Sequence, residues 1–274
     1  VSEQLTVRRF WDLFSNSWDH AQSIAACKAL ALTPSSASDD SSCMRLLQKP
    51  LRSIVLRRRF TMQIDIPNPA PEGCISCEVR GHVLLIGINR PAKRNGWTPA
   101  MFQQLAQAYT RLDDDPELRV GLLHAFGEHF TAGLDLPLIA EFMKSGQKVI
   151  PPGLVEPHDY GLPGYRRRTK PMVAAVKGIC FTVGIELMLG ADIVVAADNC
   201  RFAQLEVQRC IMPTGGATLR MAERAGVGNA MLHLLTGDEF DSAEALRCNF
   251  VQKVLPAGQE LAEALRIAER IAQQ

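Results

Sequence analysis

The segment KPMVAAVKGICFTVGIELML, residues 170–189, decides the fold class. Between Lys170-Pro171 and Lys177-Gly178 it holds five apolar residues, 172–176, a length that suits a strand buried on both faces. Residues 184–189 then read as a short helix, apolar except for Glu186. DIVVAA at 192–197 gives a second buried strand. Strand, helix and strand in close succession specify a mixed α/β protein with crossover helices.

The same order stands upstream. CEVR (77–80), Gly81 and HVLLIGI (82–88) read as two strands joined by a tight glycine turn. Thr98 is placed to cap a helix that has Pro99 at its first position. Phe102, Leu105, Tyr109 and Leu112 give that helix one apolar face, and DDDP (113–116) stops it. RVGLLHAF (119–126) is the next strand, and helices are expected around 216–226, 228–235, 242–248 and 258–272. No fixed period accompanies the recurrence, so it is not a readable repeat array. Residues 144–171 carry Pro151, Pro152, Pro157 and Pro163 and read as a loop, long enough to be functional.

A chain of 274 residues allows one large domain or two modest ones. A formal net charge of +1 gives no global pull toward nucleic acid or a lipid surface. Residues 172–197 come nearest to a membrane span, but Lys177, Glu186, Asp192 and glycines interrupt them. The cysteines are mostly single, with Cys180 and Cys210 in apolar contexts, which suits buried thiols in a reducing compartment. Cys74 and Cys77 form a C-x-x-C without the companions a zinc site needs, so no metal is expected and the pair reads as the start of a strand. The run Arg166-Arg167-Arg168 with Lys170 reads as a solvated face, or as a set of cations for a polyanionic substrate.

The first sixty residues differ in kind. Residues 33–43 (TPSSASDDSSC) lack periodicity, and no acid occurs from Met44 to Met62. Residues 1–61 are read as an upstream extension with the working domain starting near Met62, or as an Arg-rich targeting segment. Glu3, Asp12 and Asp19 weigh against a transit peptide beginning at residue 1. The expected location is cytoplasmic, or the mitochondrial matrix if residues 44–62 are a targeting segment.

Two acids lie in apolar settings: Glu186 in FTVGIELML and Glu206 in RFAQLEV. A buried carboxylate is costly unless paired, hydrogen-bonded or protonated. Two that share a site push one pKa upward, which gives the acid and the base that proton-transfer chemistry requires. Taken singly, each is more often a helix residue reaching solvent. The loops FTAGLDL (130–136) and Thr182-Val183-Gly184 each stand between a strand and a helix. Backbone N–H groups at such places can converge on one oxyanion, although each can equally be a plain turn.

These segments, in this order, resemble the enoyl-CoA hydratase/isomerase (crotonase) family from Ile75 to Pro256. RPAKRN (90–95) looks like its early CoA-binding loop and FTAGLDL like its first oxyanion loop. KPMVAAVKG (170–178) matches the approach to the second, while ADI (191–193) and RFAQLE (201–206) match the segments after the first glutamate. LTG (235–237), SAEAL (242–246) and residues 251–256 complete the set.

The resemblance implies a spiral of ββα units over residues 62–256, with 257–274 starting a helical C-terminal region. It implies an acyl-CoA thioester as substrate, with coenzyme A part of that substrate and no separate cofactor, and a homotrimer or dimer of trimers as the assembly. Glu186 would activate water and Glu206 would protonate the α-carbon of a trans-2-enoyl-CoA. The N–H groups of Leu134 and Val183 would face the thioester oxygen. Ala92, Lys93, Arg94, Gly133, Asp135 and Gly184 would line the substrate, and the loop at 144–171 would border its acyl end. An isomerase, or a CoA-binding homologue without turnover, are the rival readings.

The chain departs from the family pattern in three places. Thr182-Val183-Gly184 stands where three glycines are common, Leu134 where alanine is, and Pro213-Thr214-Gly215-Gly216-Ala217 has fewer glycines than usual. The helix after Pro256 is also the last before Gln274, where family members continue with further helices, so a truncated C-terminal part is expected.

Overall fold

A computed structural model describes residues 71–158 and 164–274 of the chain. The expectations for residues 1–61, including a start near Met62, lie outside the described residues.

The chain opens with the hairpin β1 (Cys74–Arg80) and β2 (Val83–Asn89), whose Gly81 turn has a φ of 57°. Thr98 caps α1 (Pro99–Asp114) by accepting the N–H of Met101. β3 (Val120–Ala125) and α2 (Leu136–Lys144) follow, then β4 (Met172–Val176), β5 (Ile179–Phe181) and α3 (Val183–Gly190). β6 (Ile193–Ala197) and β7 (Arg201–Ala203) lead to a 3-10 turn, Leu205–Arg209. α4 (Ala217–Ala225), α5 (Val227–Thr236), β8 (Phe240–Asp241), α6 (Ser242–Arg247), β9 (Lys253–Leu255) and α7 (Glu260–Ala272) complete the described chain.

Two sheets result. The larger runs β1-β2-β3-β4-β6-β9 and is parallel throughout except for the β1–β2 hairpin. Every residue of β2, β3 and β4 is buried, as expected of parallel strands covered on both faces. Alternate side chains go to opposite faces. Val83, Leu85, Val120, Leu122, Val173 and Val195 meet α7 through Ala264, Leu265 and Ala268. Leu84, Ile86, Leu123, Ala174 and Val194 join the main core with α1 and α3.

The smaller sheet, β5-β7-β8, explains the spiral. Thr131 bridges Cys180, and Cys180 pairs with Phe202, so three successive chain passes lie side by side in one row. Each pass leaves a long strand (β3, β4 or β6), crosses this row and enters a helical turn. The strand–strand–helix unit is thus repeated along the row.

Three expectations need correction. Cys210 is exposed, because it ends the 3-10 turn in a left-handed conformation with a φ of 54°; Cys180 is buried as expected. The Arg166–Lys170 run is neither a plain solvated face nor a free set of cations. Arg166 pairs with Asp114 at 2.6 Å, Arg168 pairs with Asp192 at 2.8 Å, and Lys170 donates to the carbonyls of Leu112 and Asp115. The run closes the C-terminal end of α1 against the α3–β6 turn. The stretch at 144–171 is not uniformly irregular at the surface, since Val155, Glu156 and His158 are buried. Cys74 begins β1, as its sequence context suggests.

Candidate active site

The row of short strands delivers the site. Leu134 and Val183 each sit three residues past the aligned pair Thr131 and Cys180, at the entrances to α2 and α3. The two loops are sewn together: Phe181 N–H donates to Thr131 O at 3.0 Å, and Thr131 N–H donates to Ile179 O at 3.0 Å. No hydrogen bond among the described residues uses the N–H of Leu134 or of Val183.

Two glycines permit this closeness. Gly133 has a φ of 109°, and a Cβ there would fall 2.6 Å from Thr182 Oγ1. A Cβ on Gly184 would fall 2.6 Å from Thr131 Cγ2. Gly133 and Gly184 are therefore spacers between the loops. Thr182 holds a φ of 51° and ψ of −114°, a conformation a β-branched residue rarely adopts. Backbone strain of this kind typically costs about 1–3 kcal/mol and clusters at functional sites. The substitution of Thr for a customary glycine has thus left the glycine-like backbone in place.

α3 is buried over its whole length, and Glu186 within it is 5% exposed. Its Oε1 accepts the N–H of Gly215 at 2.5 Å and that of Ala217 at 3.5 Å. Ala217 is the first residue of α4 and Gly215 stands just ahead of its N-cap, so both donors lie at the helix end whose dipole favours an anion. Burial raises the Glu186 pKa, while His158 and the two N–H groups oppose the rise.

Glu206, 8% exposed, lies in the 3-10 turn just past β7. Its Oε2 is buried with no hydrogen-bond partner among the described residues. Burial first, and the neighbouring charge of Glu186 second, push its pKa up to about 7. Glu186 is thus a charged neighbour of Glu206, and the Glu206 pKa stands near neutrality.

The RPAKRN loop is held from beneath. Buried Arg90 donates to Gly96 O at 3.0 Å and pairs with Asp135 Oδ2 at 2.7 Å. Asn95 donates to the carbonyls of Phe126 and His129. Ala92, Lys93 and Arg94 are exposed at the rim of this brace. Ala92 and Arg94, with Asn95, Gly127 and His129, line a cleft of about 400 Å³. Asp135 thus ties the two loops together, one carboxylate oxygen being committed to Arg90. Arg90 and Asn95 were legible only as parts of the loop; their bracing depends on partners 31 to 45 residues away.

Sequence reasoning also missed Glu156 and His158, which adjoin Glu186 from the stretch read as loop. Among the described residues, the donor set most like a metal site, His233, Glu244 and Cys248, already holds the guanidinium of Arg247 at 2.6 Å from Glu244. A cation would have to displace that ion pair.

The sequence pattern of the enoyl-CoA hydratase/isomerase family matches residues 78–274. Enoyl-CoA hydratase EchA19 of Mycobacterium tuberculosis is 35% identical over 201 residues, 71% of this chain and 73% of that protein. Mevalonyl-coenzyme A hydratase sidH of Aspergillus fumigatus is 35% identical over 206 residues, 74% of each chain. Among solved structures, a probable enoyl-CoA hydratase/isomerase from Mycobacterium abscessus superposes with a TM-score of 0.69 at 44% identity, covering 73% of this chain and 76% of that one. Sequence pattern, chain identity and fold agree over the region that carries both carboxylates, and the chain belongs to the enoyl-CoA hydratase/isomerase family.

Proposed function

We propose that this protein is a hydratase that adds water across the double bond of a trans-2-enoyl-CoA thioester. The observation that carries the reading is the unequal pair of buried acids: Glu186 held by backbone donors, Glu206 with its Oε2 unpartnered among the described residues and its pKa near neutrality. Glu186, ionised, takes a proton from water as the oxygen bonds to the β-carbon. The π electrons move to the α-carbon and thioester oxygen, where the N–H groups of Leu134 and Val183 receive the developing charge. Glu206 then protonates the α-carbon and closes the 3-hydroxyacyl product. An oxyanion donor of this type contributes about 3–4 kcal/mol in the transition state.

Ala92, Lys93 and Arg94 would meet the nucleotide end of coenzyme A, and Gly133 and Gly184 would border the thioester. Relatives named as hydratases of enoyl-CoA, mevalonyl-CoA and 2,3-dehydroadipyl-CoA support hydration while differing in acyl group. A homotrimer is part of this reading; exposed Leu219, Leu232 and Leu235 on α4 and α5 offer apolar surface for it.

Incubation with 2-enoyl-CoA and 3-enoyl-CoA thioesters tests the reaction. Hydration is expected to remove the conjugated absorbance of the 2-enoyl substrate. Gain of that absorbance from the 3-enoyl substrate, without loss from the 2-enoyl one, would make the protein an isomerase instead.

A further inference from the structure

The reaction above leaves a buried acid and a buried imidazole unused. Glu156 is 2% exposed and His158 is 9% exposed. Glu156 Oε1 accepts both the backbone N–H and the Nδ1 of His158, each at 2.8 Å. A surface stretch has no need of such a pair, and burying it is costly unless it serves something.

Its placement is fixed from three sides. Val155 N–H donates to Thr110 Oγ1 of α1 at 2.8 Å, and Glu156 N–H donates to Arg166 O at 2.9 Å. A Cβ on Gly190 would lie 3.2 Å from His158 O, so the stretch runs against the end of α3, the helix that carries Glu186. The imidazole stands 6.1 Å from the Phe102 ring, centroid to centroid. On the remaining side is Gly215. A Cβ there would fall 2.5 Å from Glu186 Oε2 and 2.8 Å from His158 Cδ2. The imidazole and the carboxylate therefore flank a single point and can be no farther apart than those two distances together.

We propose that Glu156 and His158 are a positioning pair for Glu186: Glu156 holds His158 as a cation, and that cation keeps the Glu186 carboxylate ionised and aligned beside Gly215. The proposal rests on the assignment of Glu186 as the base in the hydration reaction. The charged groups facing this cluster are Glu156 and His158 from the loop, Glu186 from α3, Glu206 from the 3-10 turn and Arg220 from α4. Burial pulls the His158 pKa down, yet the hydrogen bond to Glu156 and the charges of Glu156 and Glu186 leave it raised. His158 in turn works against the burial that raises Glu186. An apolar helix with an acid in its middle thus gains a counter-charge from a separate segment, which also explains why Gly215 must lack a side chain.

The test reads protonation states in the full-length protein, independently of turnover. In wild type, imidazole nitrogen shifts at pH 7 are expected to report His158 as the cation; a neutral ring there would overturn the proposal without any variant. In His158→Gln, the Glu186 carboxyl carbon signal, assigned through Glu186→Gln, is expected to titrate about 1 pH unit higher than in wild type. The acid limb of kcat/KM should move with it, at nearly unchanged KM. A folded His158→Gln protein whose Glu186 titrates at the wild-type pH would also overturn the proposal, whatever its rate. If His158→Gln does not fold, Glu156→Gln retains the ring, and the His158 midpoint must then fall by about 1 pH unit. An unmoved midpoint there counts against the pair. Should wild type hydrate no enoyl-CoA, the hydratase reading fails by itself, and the two titrations still decide whether the pair controls Glu186.

Discussion

Glu186 and Glu206 are the same amino acid at nearly the same burial, yet the protein treats them in opposite ways. Around Glu186 the chain supplies the N–H groups of Gly215 and Ala217 at the start of α4, and an imidazole held by Glu156. Around the Oε2 of Glu206 it supplies no hydrogen-bond partner among the described residues. Burial is the largest cause that raises both pKa values. The difference lies in what opposes that rise: donors and a positive charge for one acid, and for the other little beyond its own N–H. Burial thus does not assign chemical roles. Donors that arrive from elsewhere in the fold separate a base from an acid.

The largest expected effect comes from removing the better-held partner. Glu186→Gln keeps the size and can still accept from Gly215, but it cannot take a proton. General-base loss of this kind lowers kcat by about 10²–10⁴-fold. Steady-state kinetics on a 2-enoyl-CoA would check it. A loss below tenfold would mean that Glu186 is not the base.

The half of this contrast readable in the sequence was the carboxylate itself in an apolar run. Residues 172–176 and 192–197 declared themselves as buried strands, and Thr98-Pro99 fixed the start of α1, because those signals are local. The short strands β5, β7 and β8 span only three, three and two residues, too few for alternation to register. Yet they set the row that aligns Thr131 with Cys180, three residues before Leu134 and Val183. Glu206 could be singled out only through the ordered resemblance, since nothing within RFAQLEV shows which acid it will meet. Glu156 and His158 escaped altogether. They sit in a proline-rich stretch without period, and their meaning depends on Gly190 and Gly215, well along the chain. The Arg166–Lys170 run misled for the same reason, its partners being 24 to 58 residues distant.

A smaller change sharpens the contrast by spoiling only the geometry around Glu186. Gly215→Ala would put a methyl group 2.5 Å from Oε2 and 2.8 Å from His158 Cδ2, so one of them must move. A misplacement of about 1 Å costs roughly 10²-fold in rate. The expected result is a kcat lowered by about that factor, KM little altered, and a stability loss of about 1–3 kcal/mol from overpacking. Kinetics beside thermal unfolding would separate the two effects. A variant as active as wild type would show that Glu186 tolerates displacement and that the backbone donors do not define its role.

The smallest effect concerns stability rather than rate, and it isolates Glu206. The folded pKa of this group, about 7, lies above the ordinary carboxylate value of 4.5. Between those values the folded protein binds the proton more tightly than the unfolded chain does, so stability falls as pH rises from 4.5 to 7. Above 7 the full cost persists, because an ionised Glu206 sits beside ionised Glu186 with an oxygen unpartnered. Glu206→Gln removes the titration. Relative to wild type, the variant should gain stability across that window and then level off. A difference of about 3 kcal/mol between pH 4.5 and pH 8 is expected, several degrees in Tm. Glu186→Gln, in which donors and imidazole offset part of the burial, should show a shallower relative gain over the same range. Parallel Tm-against-pH curves for the two variants would therefore erase the distinction between the acids, whereas a steeper curve for Glu206→Gln would place the poised proton on Glu206.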